Sequence, residues 1–372
     1  MQSPAAAVGA KVSLISDTTG AAALYWPNLD SDFPWVMEVR FQDGSVDRVA
    51  SKEHWQALCE QRARLTDRRI VHLDHEGGSA VFTRPLAFGA AHMMDMRKQG
   101  VRVLAECDDN YLSSESLNVF MRMAGWAEND RTAHIRSIAV GDGLILSTDY
   151  LRDLYYKGMR REFGKKNLPE LFVCRNHIDA QYIPAELSPP REDGKLRIGY
   201  MGSDSHVWDV DLVFDALYEQ WLDGHEIVFV GINPRNLNPK YRQSKKDWTR
   251  IGYTHVPWRV EGFRGAALPI DIGLAPLVVN DHTLGKSDIK IMEYGLSGAA
   301  TVAQNCLVYN KTFVHGETCL LAGSPADYVR QLRTLVDSHS LRERLVANTN
   351  QYIREDRLLS NNTKEWAEAI YG

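Results

Sequence analysis

Short apolar runs alternate with longer stretches of helical periodicity along the 372-residue chain, the pattern of an α/β architecture. In the first half the pattern predicts strands over 11–15, 35–41, 70–73, 80–83, 101–106, 143–147 and 172–174. Helices are expected over 52–65, 86–99 and 148–156. The periodicity then stops. Residues 188–195, Ser-Pro-Pro-Arg-Glu-Asp-Gly-Lys, are polar and Pro-rich and read as a linker. Beyond them the alternation restarts, with strands at 196–201, 226–231, 249–253, 270–275 and 300–303 and helices at 210–223, 324–337, 341–354 and 363–371. The halves share architecture but no short repeat. Two facing Rossmann-like domains with a central cleft are the expectation: residues 1–187, a linker at 188–195, residues 196–355, and a C-terminal helix in 356–372 that crosses back to the first domain.

Composition narrows the classes. With 44% hydrophobic and 24% charged residues the chain reads as an ordinary soluble globular protein. A net charge of −5 gives no global reason to bind nucleic acid or an anionic membrane. Two local basic runs exist: Arg160, Arg161, Lys165 and Lys166, then Arg235, Lys240, Arg242, Lys245, Lys246 and Arg250. The second follows a strand end and suits an anionic acceptor or peripheral contact with a membrane surface. Cys59, Cys107, Cys174, Cys306 and Cys319 are scattered, odd in number and without CxxC spacing, which argues against a disulfide framework and a zinc site. The opening MQSPAAAVGAKVSLIS lacks the basic and apolar regions of a signal peptide, and no stretch reaches the roughly 18 apolar residues of a membrane span. A cytoplasmic location is expected.

Chemistry concentrates in residues 271–303, DIGLAPLVVNDHTLGKSDIKIMEYGLSGAATVA. This reads as strand, loop, helix, strand, with Ser287 as N-cap, Asp288 at the positive end of the helix and Gly298 at its close. Ile289, Met292 and Leu296 fall on one helix face, and Lys286, Lys290 and Glu293 on another. In a βαβ unit the loop and helix N-terminus lie at the carboxyl end of a parallel sheet, where open α/β sheets bind ligands. Two lysines, a helix N-terminus and a carboxylate suit a ligand with phosphates at one end and hydroxyls at the other. The bland alternative is a solvated Lys290–Glu293 surface pair. Farther upstream, IGYMGSDSH brings Gly202 and Ser203 to a strand end, where backbone amides can meet a phosphate. His206 and Asp209 follow, His206 suiting either a phosphate or sugar contact or a helix cap.

The order of these pieces, IGYMGSDSH, IVFVG, DIGLAPL, GKSDIKIMEYGLSGAATVA, HGETCLLAG and Trp366, resembles the nucleotide-sugar-binding domain of group 1 glycosyltransferases of the GT-B fold. It is most similar to the bacterial and phage branch with a KSxxKxxEY motif, and the resemblance covers about residues 196–370. In the first half TRPL (83–86), VLAECDDNYL (103–112), STDYL (147–151) and RNHID (175–179) resemble the family more weakly.

The resemblance implies transfer of a sugar from a nucleotide diphosphate sugar, used as co-substrate with no tightly bound cofactor and no metal, with retention of configuration. Glu293 matches the second glutamate of the family's two-glutamate motif, which holds ribose hydroxyls. The first would fall at Gly285 and is missing, as are the family's Arg and Lys after the first glycine turn. The donor-binding set is therefore Gly202, Ser203, Asp209, Ser287, Asp288 and Glu293, with Lys286, Lys290 and His206 as catalytic candidates beside the leaving diphosphate. On the acceptor side stand Asp108 and Asp109, at a strand end where they suit a metal, an acceptor hydroxyl or a turn, and His75 in HLDHEGG. The acceptor is open among a glycan, a lipid-linked saccharide, a protein and a modified nucleic acid. The missing residues keep a non-catalytic nucleotide-sugar-binding protein in play. A sugar-nucleotide epimerase is the other rival, although no acid/base set for one can be assembled.

Overall fold

The computed structural model describes residues 12–16, 37–41, 46–49, 70–75, 79–83, 87–113, 128–164, 168–178, 180, 183–184, 193–237, 244, 246–257 and 268–371. The chain forms two compact units. The first comprises Met1–Leu112, Ala127–Arg175 and Thr363–Gly372, and the second Ser113–Trp126 and Asn176–Asn362. The unit boundary falls at Arg175/Asn176, and most of the expected linker lies outside the described residues, as does the expected helix over 52–65.

In the first unit the strands are β1 (Val12–Ser16), β2 (Met37–Phe41), β3 (Val46–Val49), β4 (Ile70–His75), β5 (Ser79–Thr83), β6 (Arg102–Cys107), β7 (Gly143–Leu146) and β8 (Glu170–Val173). A parallel sheet runs β1-β5-β6-β7-β8, and β3-β2-β4 form an antiparallel sheet beside it in sequence. Residues 103–105 and 144–146 are buried without alternation, as in a parallel sheet covered on both faces. The helices are α1 (Ala87–Lys98), α2 (Glu128–Ile138) and α3 (Asp149–Phe163). The last extends beyond its expected end at 156. Thr148 caps its start by accepting from Leu151 N, and it closes at Gly164, with φ +66°. The pattern did not indicate β3, which is short, or α2, both of them rich in charged residues.

The second unit carries β9 (Arg197–Gly202), β10 (Glu226–Gly231), β11 (Thr254–Val256), β12 (Ile272–Ala275), β13 (Ala300–Gln304) and β14 (Leu320–Ala322). Its helices are α4 (Val207–Asp211), α5 (Phe214–Leu217), α6 (Ile289–Leu296), α7 (Leu307–Asn310), α8 (Pro325–Asp337) and α9 (His339–Asp356). Helix α10 (Thr363–Tyr371) returns to the first unit, where Arg102 Nη2 donates to the Ala369 carbonyl at 3.1 Å. Among the described residues the six strands of the second unit are parallel, in the order β11-β10-β9-β12-β13-β14. Their side chains alternate between two cores. Ile198, Tyr200, Phe229, Leu274 and Val302 pack on one face, and Met201, Val228, Val230, Ala275 and Ala303 on the other. Each large apolar side chain fully buried in this way contributes about 1.5–3 kcal/mol.

Two expectations are corrected here. The helix over 210–223 is a series of short turns: a 3₁₀ turn at Asp204–His206, α4, α5 and a further 3₁₀ turn at Gln220–Leu222. Helix begins at Val207, whose side chain and that of Val210 are both buried, and Leu212 and Val213 separate α4 from α5. The strand over 249–253 is instead a 3₁₀ turn, Trp248–Arg250, with Asp247 Oδ1 accepting from both the backbone N and the Oγ1 of Thr249. The strand follows it, at Thr254–Val256.

Candidate functional site

Within the second unit the chain runs outward from β9 to β10 and β11, then returns to the other side of β9 with β12. The sheet therefore has its topological switch point between β9 and β12, where loops leave in opposite directions and open a crevice. These two strands pair only at Ile198–Ile272 and Gly199–Gly273. Past that point Tyr294 of α6 spans the gap. Its hydroxyl accepts from Met201 N at 2.9 Å and donates to the Leu274 carbonyl at 3.0 Å. The ring has room because residue 273 is glycine.

Lys290 projects from the first turn of α6 to the end of β9. Its Nζ donates to the Met201 carbonyl at 2.6 Å and to the Tyr200 hydroxyl at 3.1 Å, and it sits 4.3 Å from the Tyr200 ring centroid. Among the described residues these acceptors take two of its three N–H bonds, which leaves one for an anion. Burial lowers the pKa of the ammonium, a fall that Asp209 and Glu293 partly oppose. Glu293, one turn on, is only partly exposed. Burial raises its carboxyl, and the Lys290 charge pulls it back part of the way. The solvated-pair alternative does not describe these two side chains. Each carries a desolvation cost, a common property of functional sites.

Gly202 ends β9, and the Ser203 hydroxyl lies 2.7 Å from that of Ser205. His206 Nδ1 is 2.7 Å from Asp209 Oδ2. Burial lowers the imidazole pKa despite Asp209, and the neighbouring lysines lower it further. A neutral ring that donates from Nδ1 presents Nε2 as an acceptor. The other oxygen of Asp209 accepts from Val278 N at 2.6 Å, in the loop after β12. The buried Asp209 thus clamps the two loops of the switch point together, and both its oxygens are engaged.

The start of α6 departs from expectation. Its N-cap is Asp288 rather than Ser287, and no side chain caps it. Ser287 Oγ accepts from Asn176 Nδ2 at 2.8 Å. Asp288, buried, forms a bidentate pair with Arg357, Nη1 to Oδ2 at 2.7 Å and Nη2 to Oδ1 at 2.8 Å. Burial alone would lower Arg357, but hydrogen bonding to Asp288 and its charge hold the guanidinium above its ordinary value. Asp288, expected on the donor, therefore has its carboxylate turned to Arg357. Gly298 has φ +83° and closes the helix as expected.

The structure brings together Gly202, Ser203, His206, Asp209, Lys286, Ser287, Asp288, Lys290 and Glu293 on the β9–β12 loops and α6 of one unit. Asp108, Asp109 and His75 belong to the other unit. Asp108 and Asp109 follow β6, where their carbonyls accept from Ser147 Oγ at 3.4 Å and the Tyr155 hydroxyl at 3.0 Å. His75 ends β4 opposite Met37, in the antiparallel sheet. Sequence reasoning assigned no role to Tyr200, Tyr294, Asn176 or Arg357. Tyr200, Tyr294 and Asn176 stand inside quoted motifs, whereas nothing near Arg357 marks it. Among the described residues no group of three His, Cys, Asp or Glu is placed to hold a metal, and no helix is long and apolar enough to cross a membrane.

No known protein family and no curated protein matches the sequence. The fold, by contrast, superposes on solved structures of GT-B glycosyltransferases. HepE of Anabaena, in complex with UDP, superposes with a TM-score of 0.62 at 11% identity, over 97% of this chain and 99% of that one. The UDP-forming α,α-trehalose-phosphate synthase of Burkholderia xenovorans, in complex with glucose-6-phosphate, gives 0.61 at 10% identity, over 97% and 100%. TarM, known from S. aureus, gives 0.55 at 10% identity over 89% of this chain, which spans 62% of the TarM chain. Likeness at such identity establishes architecture: the chain has the α/β GT-B fold, built from Rossmann-like units on parallel sheets.

Proposed function

We propose that the chain is a glycosyltransferase of the group 1 type. It moves a sugar from a nucleotide diphosphate sugar to an acceptor hydroxyl, with the donor held by the second unit and the acceptor taken by the first. The observation that carries this reading is the half-buried Lys290 ammonium, hydrogen-bonded at the carboxyl end of β9 beside the switch point, with Glu293 one turn along the same helix. UDP in the HepE complex supports the donor class.

In this reading Lys286 and Lys290 neutralise the diphosphate, and Glu293 accepts from the vicinal ribose hydroxyls. His206, with Nδ1 committed to Asp209, offers Nε2 to a donor hydroxyl. Transfer with retention breaks the bond between the anomeric carbon and the phosphate oxygen. The acceptor oxygen bonds to the same face of that carbon, and its proton passes to the departing diphosphate. Two cations beside the leaving group stabilise charge that grows as the bond breaks, so this chain's contribution is positioning and electrostatics.

A thermal-shift panel of UDP, GDP, ADP and dTDP with their common sugar conjugates tests the reading. One nucleotide series raises the melting temperature of the protein, and Glu293→Ala abolishes the shift. A panel without any shift, with acceptor saccharides present or absent, contradicts it.

A further inference from the structure

Ser287 and Asp288, two of the residue types that best cap helices, stand at the start of α6, and neither caps it. Ser287 Oγ is held by Asn176 Nδ2, and both oxygens of Asp288 are held by Arg357. Arg357 is 3% exposed. Its Nη2 also donates to the Asn176 carbonyl at 2.8 Å, and its Nη1 to the Tyr352 hydroxyl at 3.3 Å. The backbone joins the same knot: Ile178 N donates to the Arg357 carbonyl at 2.8 Å, and Leu359 N to the Ile178 carbonyl at 2.9 Å. A brace anchored at the far end of α9 and in the 176–178 segment therefore pulls both capping side chains off the helix.

The physical consequence concerns charge. An unrestrained Asp at an N-cap turns its carboxylate onto the first-turn amides and cancels the positive end of the helix dipole. Paired with Arg357 the carboxylate is neutralised and turned away. We propose that Arg357 is a positioning residue: by holding Asp288, while Asn176 holds Ser287, it keeps the first turn of α6 receptive to the diphosphate of the nucleotide donor. This rests on the function proposed above and specifies how its phosphate end is kept open. Arg357 itself touches no substrate in this account. It acts through Asp288.

Calorimetric titration of UDP, GDP, ADP and dTDP into the unaltered protein, Arg357→Met, Arg357→Lys and the double variant Asp288→Ala/Arg357→Met tests the proposal, with melting temperatures recorded alongside. For the nucleotide that binds the unaltered protein, Arg357→Met weakens binding at least about tenfold, because the released carboxylate repels the diphosphate at close range. Arg357→Lys, which keeps a cation for Asp288, falls between the two. Removing both charges together avoids a buried unpaired ion, and the double variant regains at least about half of the lost affinity on a logarithmic scale. Where Arg357→Met does not fold, the double variant binds at least as tightly as Arg357→Lys. A brace with only a structural role gives a double variant that binds no better than Arg357→Met, and that result overturns the proposal while leaving the donor site standing. Absence of nucleotide binding by the unaltered protein overturns both readings together.

Discussion

Gly273 lies against the ring of Tyr294 so closely that a Cβ on it would stand 2.5 Å from the tyrosine Cγ. The contact places the Tyr294 hydroxyl between β9 and β12, where it replaces the ladder bonds those strands cannot make once they diverge. The switch point is held open by a side chain, and the room for that side chain comes from a missing one. Gly273→Ala forces ring or strand to move and destabilises the protein by about 1–3 kcal/mol. Tyr294→Phe leaves the Met201 N–H and the Leu274 carbonyl without this partner and costs about 1–3 kcal/mol. Urea denaturation checks both, as a lower midpoint at unchanged slope. An unchanged midpoint in both variants would remove Tyr294 as the brace of the crevice.

The raised carboxyl of Glu293 has a consequence for stability against pH. The native state holds this proton more tightly than the unfolded chain does, because burial penalises the carboxylate. Its contribution is therefore fully present below the unfolded value of 4.5 and is lost as pH rises through the higher native value. Glu293→Gln, which cannot ionise, gains stability relative to the unaltered protein as pH increases from about 4.5 to about 8. Melting temperatures of the two proteins across that range decide the point. A gap that stays constant or shrinks would mean that Glu293 ionises without penalty and is a surface residue.

Much of the second unit was legible because its signals are local. The run DIGLA followed by a proline marks β12, and the spacing through IKIMEYG marks α6. Gly298 closes that helix because only glycine takes φ +83° without strain. The neighbourhood of Lys290 was legible for the same reason, since residues after parallel strands gather at one end of a sheet. The unread features depend on distant partners. Asp288 and Arg357 are 69 positions apart, and an Asp at a helix start reads as a cap until its partner is known. The hold of Asp209 on the Val278 amide went unread because the two lie 69 positions apart. The expected 210–223 helix differs in another way: its apolar residues bury at helical spacing, which is what the pattern reports, while the backbone forms that face from several short pieces.

Lys290 is proposed to grip the donor diphosphate, and the variant Lys290→Met probes that contact alone. Methionine fills a similar volume without the charge, and the loss of its donor to the Met201 carbonyl and the Tyr200 hydroxyl costs about 1–3 kcal/mol, a loss the fold absorbs while the ion contact disappears. Isothermal titration of UDP, GDP, ADP and dTDP into both proteins is the measurement. The expected result is that the nucleotide bound by the unaltered protein binds Lys290→Met roughly 10- to 100-fold more weakly, in a variant that still unfolds cooperatively. Equal affinity in the two proteins would contradict it.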